Sequence, residues 1–433
     1  MDPTRKRPAP RQAPPSRSLP IAVRRFLDTE AAGGVALVVA AAVAVAWANS
    51  PWPGTYESVW DTTVTLKIGT IGVREDLQHF VNDGLMSLFF VVVALEIKRE
   101  LVVGDLRDRR VAALPAIAAV GGMVVPAGIY VAFNVGGEGV SGWGIPMATD
   151  IAFAVGVLAL LGSRVPSSLK VFLLSLAIVD DIGGIVVIAL VYTDHIDLTA
   201  LVLALAALAA AGLLRWARVW WPPAFVTLGA VCWLATYNSG VHATLAGVAF
   251  GLLAPANPLT PADVTRSWAR DLSDEPTAGE LREMTSIAKA TVSVAERVQY
   301  VLHPIVSFAV VPVFALANAG VRVSGDAFTS PEARSIAGGV AFGLIAGKFI
   351  GITGASALAV RFRLAKLPGD VTWPQLAGTA TVAGIGFTVS LFIAGLAFET
   401  PDLQNAARLA ILAASIIAAL AGAAVLHRST PGR

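Results

Sequence analysis

Between residues 171 and 192 the chain is apolar for long enough to cross a bilayer as a helix of about 20 residues. In the middle of that stretch stand two adjacent carboxylates, Asp180 and Asp181. An ionised Asp near the bilayer centre costs at least ~2.5–3.5 kcal/mol on insertion scales, and here there are two in a row. Protonated acids that merely pack are the plainer alternative. Successive helical positions point about 100° apart, however, so one neighbour rarely satisfies both. An ion or proton site accounts for the pair better.

The rest of the chain is built to the same scale. Of 433 residues, 55% are hydrophobic and 14% charged, against about a quarter charged in soluble domains. Composition therefore gives an all-α polytopic membrane protein. About twelve apolar segments succeed one another, at 32–49, 80–97, 112–133, 144–161, 171–192, 198–214, 224–236, 241–253, 301–319, 335–360, 376–398 and 407–426. Residues 1–30 are basic and Pro-rich without an apolar run, and read as a disordered cytoplasmic arm. Residues 31–427 form a single transmembrane domain, with an outside loop at 51–78 and a long polar loop at 256–298; 428–433 are a tail. The net charge of +2 gives no argument for nucleic acid, and the single Cys232 excludes an internal disulfide or a Cys-based metal cluster.

Lys and Arg fall in alternate loops. They occupy the N-terminal arm, the loop with Lys98, Arg99, Arg107, Arg109 and Arg110, then Arg164/Lys170, Arg215/Arg218, the long loop, Arg361/Arg363/Lys366 and the tail. Three of the intervening connections, 134–143, 193–197 and 237–240, have none, which puts both termini on the cytoplasmic side of a prokaryotic inner membrane. In the outside loop, 63–73 alternates around Gly69-Thr70 as a β-hairpin would.

A second charge lies deep. Lys348 is about twelve residues from either end of its span, some 18 Å at ~1.5 Å per residue, beyond snorkelling range. Pairing it with a buried carboxylate solves two desolvation problems together. Two spans are also interrupted. Pro146, Thr149 and Asp150 disfavour a regular helix in one, and Gly384 and Gly386 weaken the other. Irregular backbone at membrane depth survives only where it is buried in protein or lines a cavity. Matched interruptions in two halves point to inverted repeats with a binding site at the midplane, where Asp150 offsets half-helix ends. Glu96 and Glu100, four apart, share a face at the inner end of the second span, beside Lys98 and Arg99. His242 is a lone histidine near a span end. No P-loop, GxGxxG nucleotide motif or Ser/His/Asp order is present. A channel would need a continuous polar path, and an intramembrane aspartyl protease would need its acids on separate helices with a Gly-x-Gly-Asp signature; the sequence offers neither. The chain is not expected to be an enzyme or to carry a cofactor.

Five stretches, IPMATDIA (145–152), LAIVDDIGG (176–184), SGVHATLAG (239–247), LANAGV (316–321) and GIGFTVS (384–390), resemble the NhaA-type sodium/proton antiporters over nearly the whole length. The resemblance implies a core of inverted repeats with two discontinuous crossing helices. It implies Asp181 as the cation-binding carboxylate, with Asp180 pairing with Lys348 and also titrating. Transported Na+ would meet Asp181, Asp180 and Thr149. Thr149 and Asp150 would form the helix crossing with 384–388, while Glu96, Arg99, Glu100 and His242 would serve pH activation. The hairpin between Thr63 and Val73 would join a homodimer. The implied function is electrogenic, pH-regulated exchange of internal Na+ or Li+ for external H+, with a sodium-coupled symporter of an organic anion as the alternative. The sequence departs from the family at Gln299-Tyr300, where the pattern is Glu-His, and at Phe349 in place of proline; its long loop is also more charged.

Overall fold

The computed structural model describes residues 21–68, 71–193, 196–217, 219, 221–258, 277, 279, 284, 290–323 and 325–429. They are mostly helical, with one two-stranded sheet. In chain order the elements are α1 (Ile21–Ala48), α2 (Pro53–Trp60), β1 (Thr63–Ile68), β2 (Ile71–Asp76), α3 (Leu77–Val102) and α4 (Arg109–Phe133). A 3₁₀ segment (Glu138–Met147) leads into α5 (Ile151–Leu160), followed by α6 (Ser167–Val191), α7 (Leu198–Trp216), α8 (Pro222–Asn238) and α9 (Thr244–Leu253). The second half has α10 (Val294–Asn318), α11 (Pro331–Arg361), α12 (Trp373–Val382), α13 (Phe387–Ala397) and α14 (Pro401–Ser429).

Seven of these helices are long and apolar enough to cross a membrane, or ten if each bent pair is one span. The twelve apolar segments of the sequence all coincide with helices, but α8 and α9 have only 17 and 10 residues. Three boundaries move. Helix α1 begins at Ile21, inside the stretch expected to be a disordered arm, because the Pro-rich composition ends at position 20. Helix α10 begins at Val294, inside the expected polar loop. Ser293 caps it by accepting the Glu296 N–H, and hydropathy cannot register such a polar first turn. The apolar segment at 241–253 becomes helical only at Thr244, after the chain turns through Gly240 at φ +80°. Most of the loop at 256–298 lies outside the described residues.

The hairpin is present, with Thr63 opposite Asp76 and Ile68 opposite Ile71; Gly69 and Thr70 at its tip lie outside the described residues. Its base is tied to the bundle: the Leu77 N–H donates to Thr62 O, and the Tyr56 hydroxyl of α2 donates to Leu316 O at 2.7 Å.

Close helix contacts rest on small residues. A Cβ on Gly351 of α11 would stand 2.2 Å from Gly121 O of α4, so these two backbones touch. A Cβ on Gly247 of α9 would meet Ser87 O at 2.3 Å, which seats α9 alongside α3. Three helices contain a π-helical turn, at Val81–Leu85, Val306–Val310 and Gly343–Gly347. Each adds a residue to its turn and rotates the side chains beyond it about the helix axis.

Candidate functional site

Two helices are broken at depth, and the breaks meet. The 3₁₀ segment and α5 are bent by 44° around Ala148–Asp150, and α12 and α13 by 45° around 383–386. The Asp150 N–H donates to Ile385 O at 2.6 Å across the crossing. The Asp150 carboxylate then faces two helix N-termini at once. Its Oδ1 accepts the Phe153 N–H of α5 (2.9 Å), while Oδ2 accepts the Thr388 N–H (3.0 Å) and Thr388 hydroxyl (2.7 Å) of α13. A negative charge there complements both positive helix ends. Gly384 is required by proximity: a Cβ on it would lie 2.4 Å from Leu344 O of α11. The Ser390 hydroxyl, donating to Ile145 O at 2.7 Å, ties the same halves together.

Beside the crossing, Asp180 and Lys348 pair. Both are fully buried, and Lys348 Nζ donates to Asp180 Oδ2 at 2.6 Å. Lys348 comes directly after the π-helical turn Gly343–Gly347, and a Cβ on Gly122 would touch its stem at 3.7 Å. Thr149 Oγ1 lies 2.8 Å from Asp180 Oδ2 and 2.9 Å from Ala383 O; its single proton can go to either. Asp180 Oδ1 has no hydrogen-bond partner among the described residues.

Asp181 points elsewhere. It lines a cavity of ≈ 60 Å³ together with Thr149, Asp150, Thr388, Glu96 and His303. The hundred-degree separation of adjacent helical positions thus gives the two acids different surroundings, Asp180 facing an ammonium and Asp181 open space. Asp180, expected to contact the transported ion, is engaged by Lys348 and is not on the cavity wall in this conformation. Among the described residues no three His, Cys, Asp or Glu side chains cluster closely enough to hold a metal ion. A cation at Asp181 would draw its remaining oxygens from hydroxyls, backbone or water.

The residues expected to serve pH activation divide. Glu96 is buried and reaches the cavity of Asp181. Arg99 pairs with Glu100 (Nη2–Oε1, 3.3 Å) and reaches Gln299 Oε1 at 3.4 Å, while Glu100 Oε2 accepts the Asp105 N–H. His242 is not part of this group. Since Gly247 sits on Ser87 and Gly251 on Val91, His242 lies level with the hairpin end of α3, on the order of 20 Å from Glu96 at 1.5 Å per residue. No sequence signal singles out His303 or Thr388 on the cavity wall, although Thr388 falls within the GIGFTVS stretch and His303 in Leu302-His303-Pro304, just after the Gln299-Tyr300 departure.

Residues 24–426 match the family described as Na+/H+ antiporter 1. The chain is 50% identical over 407 residues to Na(+)/H(+) antiporter NhaA 3 of Frankia alni, covering 94% of this chain and 88% of the relative. It is 44% identical over 417 residues to Na(+)/H(+) antiporter NhaA of Rhodopirellula baltica, covering 94% of each. Against Na(+)/H(+) antiporter NhaA of Oleidesulfovibrio alaskensis it is 43% identical over 425 residues, covering 95% of this chain and 94% of the relative.

Proposed function

The chain belongs to the Na+/H+ antiporter family, and from that premise we propose that it exchanges internal Na+ or Li+ for external H+ at Asp181. One observation carries this: a buried carboxylate on a small cavity that it shares with Thr149, Asp150 and Thr388, with a second acid directly behind it held by a buried lysine. Sodium needs an ionised oxygen and protonation removes it, so the two cargoes exclude each other at one site. If only the loaded forms rearrange between the two sides, exchange is obligatory. Asp180, cycling between the Lys348 pair and a proton, gives a second proton per cycle, so transport moves net charge and responds to membrane potential. Glu96, Arg99 and Glu100 tune this cycle with pH from one end of α3, and His242 does so separately from the other end.

The same reading makes 31–427 one multi-pass domain of twelve spans, the short α8 and α9 included, with both termini cytoplasmic. Its core is a pair of inverted repeats, each contributing one broken helix to the crossing at Asp150. Two protomers join through the hairpin, whose two strands leave free edges for pairing. Nothing in the site favours the organic-anion symporter.

Everted membrane vesicles carrying the protein and a fluorescent pH probe test the exchange. Addition of NaCl or LiCl should collapse a respiration-driven pH gradient. A gradient that persists under both salts, in vesicles that contain folded protein, would end the proposal.

A further inference from the structure

On the hairpin side of the bundle stands a cation without an anion. Arg408 lies on α14 seven residues after Pro401, about 10 Å along the helix. It is half-buried, and its Nε is enclosed with no acceptor among the described residues. A guanidinium carries five N–H donors. Here one hydrogen bond is made, from Nη2 to Gln404 Oε1 at 3.0 Å, and no carboxylate among the described residues pairs with it. Two helix C-termini explain why a positive charge is tolerated. Gln404 donates to Phe398 O, just past α13, at 2.5 Å. Tyr56, the electrostatic neighbour of Arg408, donates to Leu316 O or Ala317 O in the last turn of α10. Those carbonyls take neutral donors, so the helix ends attract the guanidinium without satisfying its N–H groups.

A second donor beside Tyr56 is stranded as well. Trp60 is 8% exposed, its ring lies 6.2 Å from that of Tyr56, and its indole N–H is buried without an acceptor among the described residues. A buried donor left unmade costs free energy, and a charged one costs more. Two such donors bordering one tyrosine call for a ligand rich in acceptors and free of donors. A phosphodiester has that chemistry, and the surroundings indicate its source. Helix α2 is bent 118° from α1; it buries Tyr56 and Trp60, while Trp52 and Val59 are 71% and 38% exposed. A short helix of this kind, flanked by an exposed Trp, lies at the level of the lipid headgroups.

We propose that Arg408 and Trp60 bind the phosphate of an outer-leaflet phospholipid beside Tyr56, at a site separate from the Asp181 cavity. The membrane reading supplies only the sidedness of this site, and sodium exchange plays no part in it. The bound phosphate neutralises Arg408 and fastens α2 and α14 to the lipid where they meet the end of α10.

The test is thermal unfolding of purified, delipidated protein in detergent with lipid added back. Phosphatidylglycerol at a hundredfold excess over its Kd should raise the wild-type Tm by about 3 °C more than that of Arg408→Gln. Phosphatidylcholine carries the same phosphodiester and should act in the same direction. Diacylglycerol lacks it and should shift both proteins equally. Lipid held at other basic surfaces stabilises both alike, so the difference reports this site. Equal shifts with phosphatidylglycerol in wild type and Arg408→Gln would overturn the site. Potassium phosphate should give none of the difference, and a full effect from it would overturn a lipid as the ligand. If Arg408→Gln does not fold, Trp60→Phe keeps the ring and removes the N–H. By native mass spectrometry, at a lipid concentration that half-fills wild type, it should carry at least threefold less phosphatidylglycerol, and equal loading would overturn the proposal. None of these readings requires transport, so absence of sodium exchange would end the antiporter reading and leave the phosphate site to be decided by binding.

Discussion

Lys348→Met keeps most of the side-chain volume and its packing beside Gly122 but removes the ammonium. The gross attraction lost across 2.6 Å is about 6 kcal/mol at an effective dielectric of ~20. Desolvation of the two ions already cancels much of that in the wild type. The change leaves a carboxylate at 1% exposure whose Oδ1 already lacks a partner and whose Oδ2 keeps only Thr149. Stranding one member of a buried pair costs ~3–5 kcal/mol. With an unfolding entropy of about 2.1 cal/mol/K per residue over 433 residues, that corresponds to a fall of about 3–6 °C in Tm. Asp180→Asn combined with Lys348→Met should recover a large part of it, since the stranded charge is gone. The assay is a double-mutant cycle by thermal unfolding in detergent at fixed pH and sodium. Strictly additive losses would show that the two residues are not partners and refute the reasoning.

Asp150→Ala removes three accepted hydrogen bonds and the one charge facing the N-termini of α5 and α13. It should cost about 2–4 kcal/mol of stability and reduce exchange sharply, with Asp150→Asn in between; thermal unfolding and proteoliposome flux read the two effects, and an Asp150→Ala protein equal to wild type in both would contradict the crossing's role. Gln299 is buried against Arg99, which already pairs with Glu100. Gln299→Glu adds a third coupled charge there, so activation with rising pH should steepen or shift, and superimposable pH profiles of the two proteins would rule this out.

The charged residues of the site were legible because the membrane makes them so. A charge inside an apolar span has few places to go, and Asp180 and Lys348 announce each other from 168 positions apart. The breaks were legible for a similar reason: Pro146 and the Gly384/Gly386 pair sit where a helix interior should continue, and both mark the crossing. The hidden part depends on packing between helices. That Glu96 and His303 reach the cavity of Asp181 is a consequence of how α3, α6 and α10 nest, and no local pattern reports it. The π-helical turns at Val81–Leu85 and Gly343–Gly347 add to the difficulty, since a reading at 3.6 residues per turn misplaces every side chain beyond them. The resemblance groups His242 with Glu96, but the helix after His242 runs beside α3 in the same direction, which puts His242 at the far end.

The most direct measurement of the central claim is sodium-induced proton release from detergent-solubilised protein, wild type against Asp181→Asn. The substitution keeps the side-chain volume but removes the ionisable oxygen from the cavity wall. Wild type should release protons on sodium addition, with an apparent sodium affinity that weakens about tenfold for each unit of falling pH where one proton competes. Asp181→Asn, folded and inserted, should release none. A folded Asp181→Asn protein that still trades protons for sodium, or a wild-type sodium affinity that stays flat across pH, would contradict the account.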